Sequence, residues 1–130
     1  MILKYQNMKT SVQSNNALVF SPKEAQRALV IASRTCASTP AEFLVAGAKA
    51  AMIAELKKRM QTSIVEFYFI KCSGELTRRF GTTMPSLAST HINGRGICRD
   101  SVNTVAFWDT EAQGENKWRS FRYEALVKVC

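Results

Sequence analysis

Two short strings, Ser21-Pro22-Lys23-Glu24 and Thr39-Pro40-Ala41-Glu42, repeat one arrangement and restrict what the first half of the chain can become. Each places a hydroxyl residue first, proline at the first helical position and glutamate at the third. The hydroxyl accepts from the third residue's N–H while the glutamate reaches back to the cap N–H. Proline costs nothing there, because its missing N–H has no partner in a helix's first turn. Two helices follow from this. The first is predicted from Ser21 to about Thr35, burying Ala25, Ala28, Leu29 and Ala32 at helical spacing. The second is predicted from Thr39 to about Gln61. It carries Phe43, Gly47, Ala50 and Ala54 on one face, with Leu44, Ala51 and Met52 nearby, and its small residues let a neighbour approach closely. Lys57, Lys58 and Arg59 fall in its last turns, where cations suit the helix dipole.

After Thr62 the hydrophobic period changes. Ile64 to Ile70 is β-branched and aromatic and reads as a mostly buried strand. Lys71 to Gly74 looks like a hairpin loop returning through Glu75 to Phe80. A long connection from Gly81 to about Ser101 then leads to a strand over Val102 to Trp108. A polar turn at Asp109 to Asn116, a strand over Lys117 to Phe121, one helical turn at Tyr123 to Leu126 and a last strand over Val127 to Val129 complete the chain. Residues 1–20 are polar and read as a loosely ordered arm with a short strand at Ala17 to Phe20. The expected division is therefore the arm at 1–20, a two-helix segment at 21–62 and a barrel at 63–130. The fold class is α+β, two N-terminal helices followed by a small five-stranded SH3-like (Sm-like) β-barrel. Closing the sheet on itself would remove its exposed edges.

A 130-residue chain is of single-domain size and can bury a core without metal or disulfide support. Its 18 Lys and Arg against 10 Asp and Glu give a net charge of +8. Such an excess favours anionic partners such as nucleic acid, with DNA or RNA left open, or anionic lipid. Cys36, Cys72, Cys98 and Cys130 lack the close pairing of zinc and redox motifs, and His91 is the only histidine, so neither a metal nor a cofactor is expected. The cysteines read as reduced thiols. Met1 to Lys9 lacks the apolar run of a secretory leader, and no stretch is long enough to span a bilayer, so the expected location is cytoplasmic, with no membrane partner.

The C-terminal residues resemble a known family. Val65-Glu66-Phe67-Tyr68-Phe69, Gly74, Arg78 to Phe80, Gly81-Thr82-Thr83, Phe107-Trp108-Asp109 and above all Lys117-Trp118-Arg119-Ser120-Phe121-Arg122 followed by Leu126 are similar to the WYL-like, Sm-like SH3 β-barrel proteins of phages and Bacteroides-type bacteria. The preceding helix ending in Lys57-Lys58-Arg59 fits the same likeness. The resemblance implies a small barrel, with nucleic-acid or ligand sensing as the function carried by analogy.

Among candidate functional residues, a basic and aromatic cluster comes first. Trp118, Arg119, Phe121, Arg122 and Tyr123 lie near the fourth strand, and Arg78 and Arg79 on the second. Strand alternation puts Trp118 and Ser120 on one face and Arg119 and Phe121 on the other. Small barrels bind single strands through such a combination of cations and exposed rings. The competing reading makes Trp118 and Phe121 core and the arginines merely solvated, which leaves Arg119 and Arg122 as the stronger candidates. A second patch is helical, with Lys49 beside Lys57, Lys58 and Arg59. Residues 1–60 hold nine Lys and Arg against three Glu, a net +6, suited to phosphate contacts that position without reading sequence. The two capped helices also admit a helix-turn-helix reading, though a third helix is missing. Asn93-Gly94-Arg95-Gly96, with Arg99 beyond, could grip phosphate but lacks P-loop spacing and reads more simply as a flexible loop. His91 and Cys98 have no orienting third group, and the carboxylates Glu66, Glu75, Asp100 and Asp109 are dispersed, so no catalytic residue is expected. The expected function is a non-enzymatic, nucleic-acid-associated accessory or regulatory factor. The alternatives are a protein-interaction or assembly module of undetermined oligomeric state, in which the barrel or the small-residue helix face docks on another chain, and a small-ligand sensor.

Overall fold

The computed structural model describes residues 21–88 and 102–130. The arm at 1–20, the Asn93–Gly96 string, His91, Cys98, Arg99 and Asp100 lie outside the described residues.

Both capping boxes form. In helix α1 (Pro22–Arg34), Ser21 Oγ accepts from the Glu24 N–H at 3.2 Å, and Glu24 Oε1 accepts from the Ser21 N–H at 3.1 Å. In α2 (Pro40–Met60), Thr39 Oγ1 accepts from the Glu42 N–H at 3.2 Å. Glu42 Oε1 accepts from the N–H groups of Ser38 at 2.9 Å and Thr39 at 3.0 Å. These bonds hold the Glu42 carboxyl below its ordinary pKa, the Ser38 N–H contributing most. The stop of α1 is a left-handed residue, Cys36 at φ 55°. The Ala37 N–H reaches Ala32 O at 2.8 Å and the Cys36 N–H reaches Ser33 O at 3.2 Å. This is the double closure usually built around glycine, and it satisfies carbonyls left open at a helix end.

Five antiparallel strands follow: β1 (Val65–Ile70), β2 (Leu76–Thr82), β3 (Thr104–Asp109), β4 (Trp118–Arg122) and β5 (Leu126–Val129). They form one sheet in the order β4-β3-β2-β1-β5. A short helix, α3 (Pro85–Ala88), lies in the connection after β2, and a 3₁₀ turn at Tyr123–Ala125 joins β4 to β5. Lys71 to Gly74 makes the expected hairpin, with Gly74 at φ 91° and its N–H on Lys71 O at 2.8 Å. The inward side chains alternate as strand geometry requires: Val65, Phe67 and Phe69 from β1, Val105 and Phe107 from β3, Phe121 from β4. Phe67 meets Phe107 edge-on at 4.9 Å, and Phe69 stacks on Phe121 at 5.1 Å.

Helices and sheet share one core, in which Ile31, Ile53, Leu56 and Met60 join the strand aromatics and Leu126. The end of α2 is tied to the end of β2, because Met60 O accepts both the Thr83 N–H and the Thr82 hydroxyl at 3.0 Å. Thr82 is fully buried, and its oxygen also accepts from the Met84 N–H at 3.0 Å.

Several sequence expectations need correction. The buried face of α1 is Arg27, Ile31 and Ala32, while Ala25 is exposed and Leu29 is 68% exposed. Tertiary contact selected the face. The Arg27 guanidinium lies 5.7 Å from the centre of the Tyr123 ring, and Ile31, one turn on, enters the core. On α2, Gly47 and Ala50 are buried as expected, but Phe43 and Leu44 are exposed and Ala54 is only half-buried. The buried stripe runs through Ala46, Ala50, Ile53, Leu56 and Met60. The sheet does not close by hydrogen bonds, since β4 and β5 are the two ends of the strand order. Phe69 of β1 stacks on Phe121 of β4 instead, so strands from the two sides of the sheet meet through their side chains. The second strand also extends to Thr82, past the expected end at Phe80.

Candidate functional site

On β4 the expected alternation holds. Phe121 pairs with Val105 and is buried, and Arg119 pairs with Phe107 on the same alternation but is exposed. Trp118, Ser120 and Arg122 take the outer face, opposite Trp108, Ala106 and Thr104. The indoles of Trp108 and Trp118 stand edge-on at 5.8 Å, leaving Trp108 buried and Trp118 half-buried. Phe121 is thus core, whereas Trp118 is an outer-face side chain. Tyr123, grouped with them by sequence, is buried under Arg27.

The arginines divide by their partners. Arg78 on β2 ion-pairs with Glu66 across the β1–β2 ladder, and its guanidinium lies 4.8 Å over the Phe80 ring. Arg79, on the other alternation, sits 3.3 Å from Asp109, whose carboxylate is almost wholly buried. Arg119 Nη1 donates to two main-chain carbonyls, Asn116 O at 3.2 Å and Trp118 O at 2.9 Å. These bonds leave Nε and Nη2 of its five-donor fork for another acceptor. Neither Arg119 nor Arg122 has a carboxylate partner among the described residues. Lys57, Lys58 and Arg59 occupy the last turn of α2, with Lys58 exposed and the other two half-buried. Lys49, grouped with them by sequence, instead donates to Glu124 O at 2.7 Å.

The eight candidate cations and rings fall on three elements. Arg119, Arg122 and Trp118 share a strand, Arg78 and Arg79 serve ion pairs on β2, and the helical trio stands at the end of α2. Two partners escaped the sequence reading. Asp109 was one of four dispersed carboxylates until folding set β3 beside β2, with Gly81 opposite Asp109. Trp108 was legible in principle, because pairing β3 with β4 across the polar turn sets it opposite Trp118.

Among the described residues no three His, Cys, Asp or Glu side chains gather as metal ligands do. No helix among them is long and apolar enough to cross a membrane. Cys36, Cys72 and Cys130 are free, exposed thiols.

A 370 Å³ cleft opens where β1 enters the hairpin loop and β4 passes into the 3₁₀ turn. Phe69, Ile70, Phe121 and Ala125 provide its apolar walls, and Arg122 lies at its side.

Comparison with known proteins agrees with this architecture. No curated protein and no solved structure matches the chain. A family model does, that of WYL_2, Sm-like SH3 beta-barrel fold, over residues 53–127. The match runs from the second half of α2 through the 3₁₀ turn into the first two residues of β5, and takes in β1 to β4 whole. With more than half of its length matched, the chain belongs to the WYL_2 family of Sm-like SH3 β-barrel proteins.

Proposed function

We propose that this protein is a non-enzymatic, nucleic-acid-associated accessory or regulatory factor that holds the phosphate backbone through β4 and the last turn of α2. The carrying observation is the contrast among its arginines. Arg34, Arg78 and Arg79 are each neutralised by a carboxylate, whereas Arg119 and Arg122 flank one exposed strand with none among the described residues. A cation without a carboxylate partner is available to a phosphate at no cost in broken ion pairs, and arginine's planar fork suits that acceptor. Trp118 adds a partly exposed ring from the same strand, on which a base can stack. The chain's net charge of +8 draws a polyanion towards it.

The test is fluorescence anisotropy with labelled single-stranded and duplex DNA and RNA at two salt concentrations. Phosphate contacts release counterions, so affinity must fall steeply as salt rises. Absence of binding at low salt would overturn the proposal.

A second reading, a protein-interaction module, draws on the apolar side chains left exposed on the helices: Leu29, Phe43, Leu44 and Val45. It predicts a salt-insensitive oligomer or complex, visible by light scattering of the purified chain.

A further inference from the structure

We propose that the small cavity between the first turns of α1 and the 3₁₀ turn is a binding site for a tetrahedral oxyanion, either inorganic phosphate or the terminal phosphate group of a larger molecule. Its lining residues are Lys23, Gln26, Arg27, Asn103 and Tyr123. Each carries a hydrogen-bond donor in its side chain, two are cations and none is acidic. The volume is about 50 Å³. At about 10–15 Å³ for each water-sized sphere, this holds about three to five of them, the size of a central atom with four oxygens. Pockets for drug-sized molecules begin far higher, at about 300 Å³. Lys23, Gln26 and Arg27 precede the stretch matched by the family model, so the cavity arises where this chain's own first helix meets the barrel.

The two cations select the sign of the ligand. Only 6% of Arg27 is exposed, and its guanidinium lies 5.7 Å from the centre of the Tyr123 ring, which orients its plane. An oxyanion needs two of the five N–H donors of that plane, so it adds to the contacts the guanidinium already makes. Lys23 lies one turn before Arg27 on α1, and like charges at that spacing repel. Lys23 also stands in the first turn of the helix, where the dipole favours a carboxylate over a cation. It has no hydrogen bond or ion pair among the described residues. The lysine therefore does nothing for the helix, yet it brings a second positive charge to the cavity of Arg27. An oxyanion between the two replaces repulsion with two charge-assisted contacts. On the barrel side, Asn103 O accepts the Tyr123 N–H at 3.3 Å, which fixes these two residues relative to each other. None of the five residues belongs to the nucleic-acid surface proposed above.

The experiment is isothermal titration calorimetry of the full chain with inorganic phosphate, thymidine 5′-monophosphate and thymidine, at one ionic strength maintained with chloride. One saturable site is expected for phosphate, for the monophosphate or for both, and none for thymidine. Tighter binding of inorganic phosphate identifies a free ion as the ligand, and tighter binding of the monophosphate identifies the end of a larger molecule. Lys23→Glu should weaken the binding at least about tenfold by replacing attraction with repulsion. Glutamate suits a first helical turn, so this variant should melt no lower than the parent, which separates a lost site from a lost fold. Gln26→Glu, also exposed, should weaken binding several-fold. Lys128→Glu, exposed on β5 and outside the cavity, makes the same change in net charge and should leave the affinity unchanged. No saturable binding of either phosphate species at millimolar concentration would overturn the proposal. So would thymidine binding as well as its monophosphate, an affinity unmoved by Lys23→Glu, or an equal loss with Lys128→Glu. No oligonucleotide is present and no residue of the strand surface is changed, so this result and the anisotropy result can fail separately.

Discussion

Gly81 lies directly against the Phe107 ring: a Cβ at this position would stand 2.7 Å from Phe107 Cδ2, and 2.9 Å from Cε1 of Phe67. The edge-on pair of phenylalanines occupies the space a side chain would need. Both rings are fully buried and held in a close-packed core, so neither can yield cheaply. Gly81→Ala should destabilise the protein by about 1–3 kcal/mol, measured by urea unfolding, with unchanged folding topology. A neutral result would show that the aromatic pair can shift.

The junction between helices and barrel rests on Thr82. Its hydroxyl donates to Met60 O and accepts from the Met84 N–H, in full burial. Thr82→Val keeps the shape and removes both bonds, leaving the half-buried Met84 N–H without its acceptor and Met60 O with the Thr83 N–H alone. The expected loss is about 1–3 kcal/mol in chemical denaturation. Thr82→Ser, which keeps the hydroxyl, should recover most of it.

Cys36 closes α1 in a left-handed conformation that side chains with a Cβ adopt at a cost. Cys36→Gly should remove that strain. The gain is expected to be about 0.5–1 kcal/mol, since glycine also loses more backbone entropy on folding. Thermal unfolding under reducing conditions measures it, and a fall in Tm would contradict the assignment.

Arg79 and Arg119 should separate by phenotype. Arg79→Ala leaves the nearly buried Asp109 carboxylate without its cation, so it should cost about 2 kcal/mol of stability. Arg119→Ala together with Arg122→Ala should leave the Tm nearly unchanged. That pair should instead weaken single-strand binding and flatten its salt dependence, by about 0.7 in the log–log slope for each lost phosphate contact. The discriminating measurement is anisotropy across a salt series beside a melting curve for each variant.

Glu42 gives α2 a pH-sensitive start. The N–H groups of Ser38 and Thr39 hold its carboxyl below the ordinary pKa, favouring the ionised form in the folded protein. A depressed native pKa supplies stability that is present above the unfolded value, about 4.3 for glutamate. It is lost as pH falls through the lower folded value. Glu42→Gln should therefore be less stable than the parent at pH 7, and the difference should shrink as the two are acidified.

The helix starts were fully legible in the residues, because Ser21 with Glu24 and Thr39 with Glu42 meet within four positions and need nothing distant. The strands and the hairpin were nearly as legible: Val65 to Ile70 announces itself by β-branched and aromatic composition, and Gly74 supplies the turn its positive φ requires. The family strings around Trp118 to Arg122 identified the barrel for the same reason, being local. What the chain could not state locally was decided by tertiary contact. Leu29 and Arg27 are both on α1, and hydropathy favours burying the leucine. Yet Arg27 is buried, because it meets the Tyr123 ring some hundred residues on. Arg78, Arg79, Arg119 and Arg122 are alike by type. Folding alone brought Glu66 and Asp109 to the first two and left the other two without carboxylates among the described residues. The cleft likewise exists only once β1 and the 3₁₀ turn stand side by side. Local hydrogen-bond chemistry acts between residues close in sequence. Charge pairing, burial and cavity shape depend on neighbours that only the closed fold supplies.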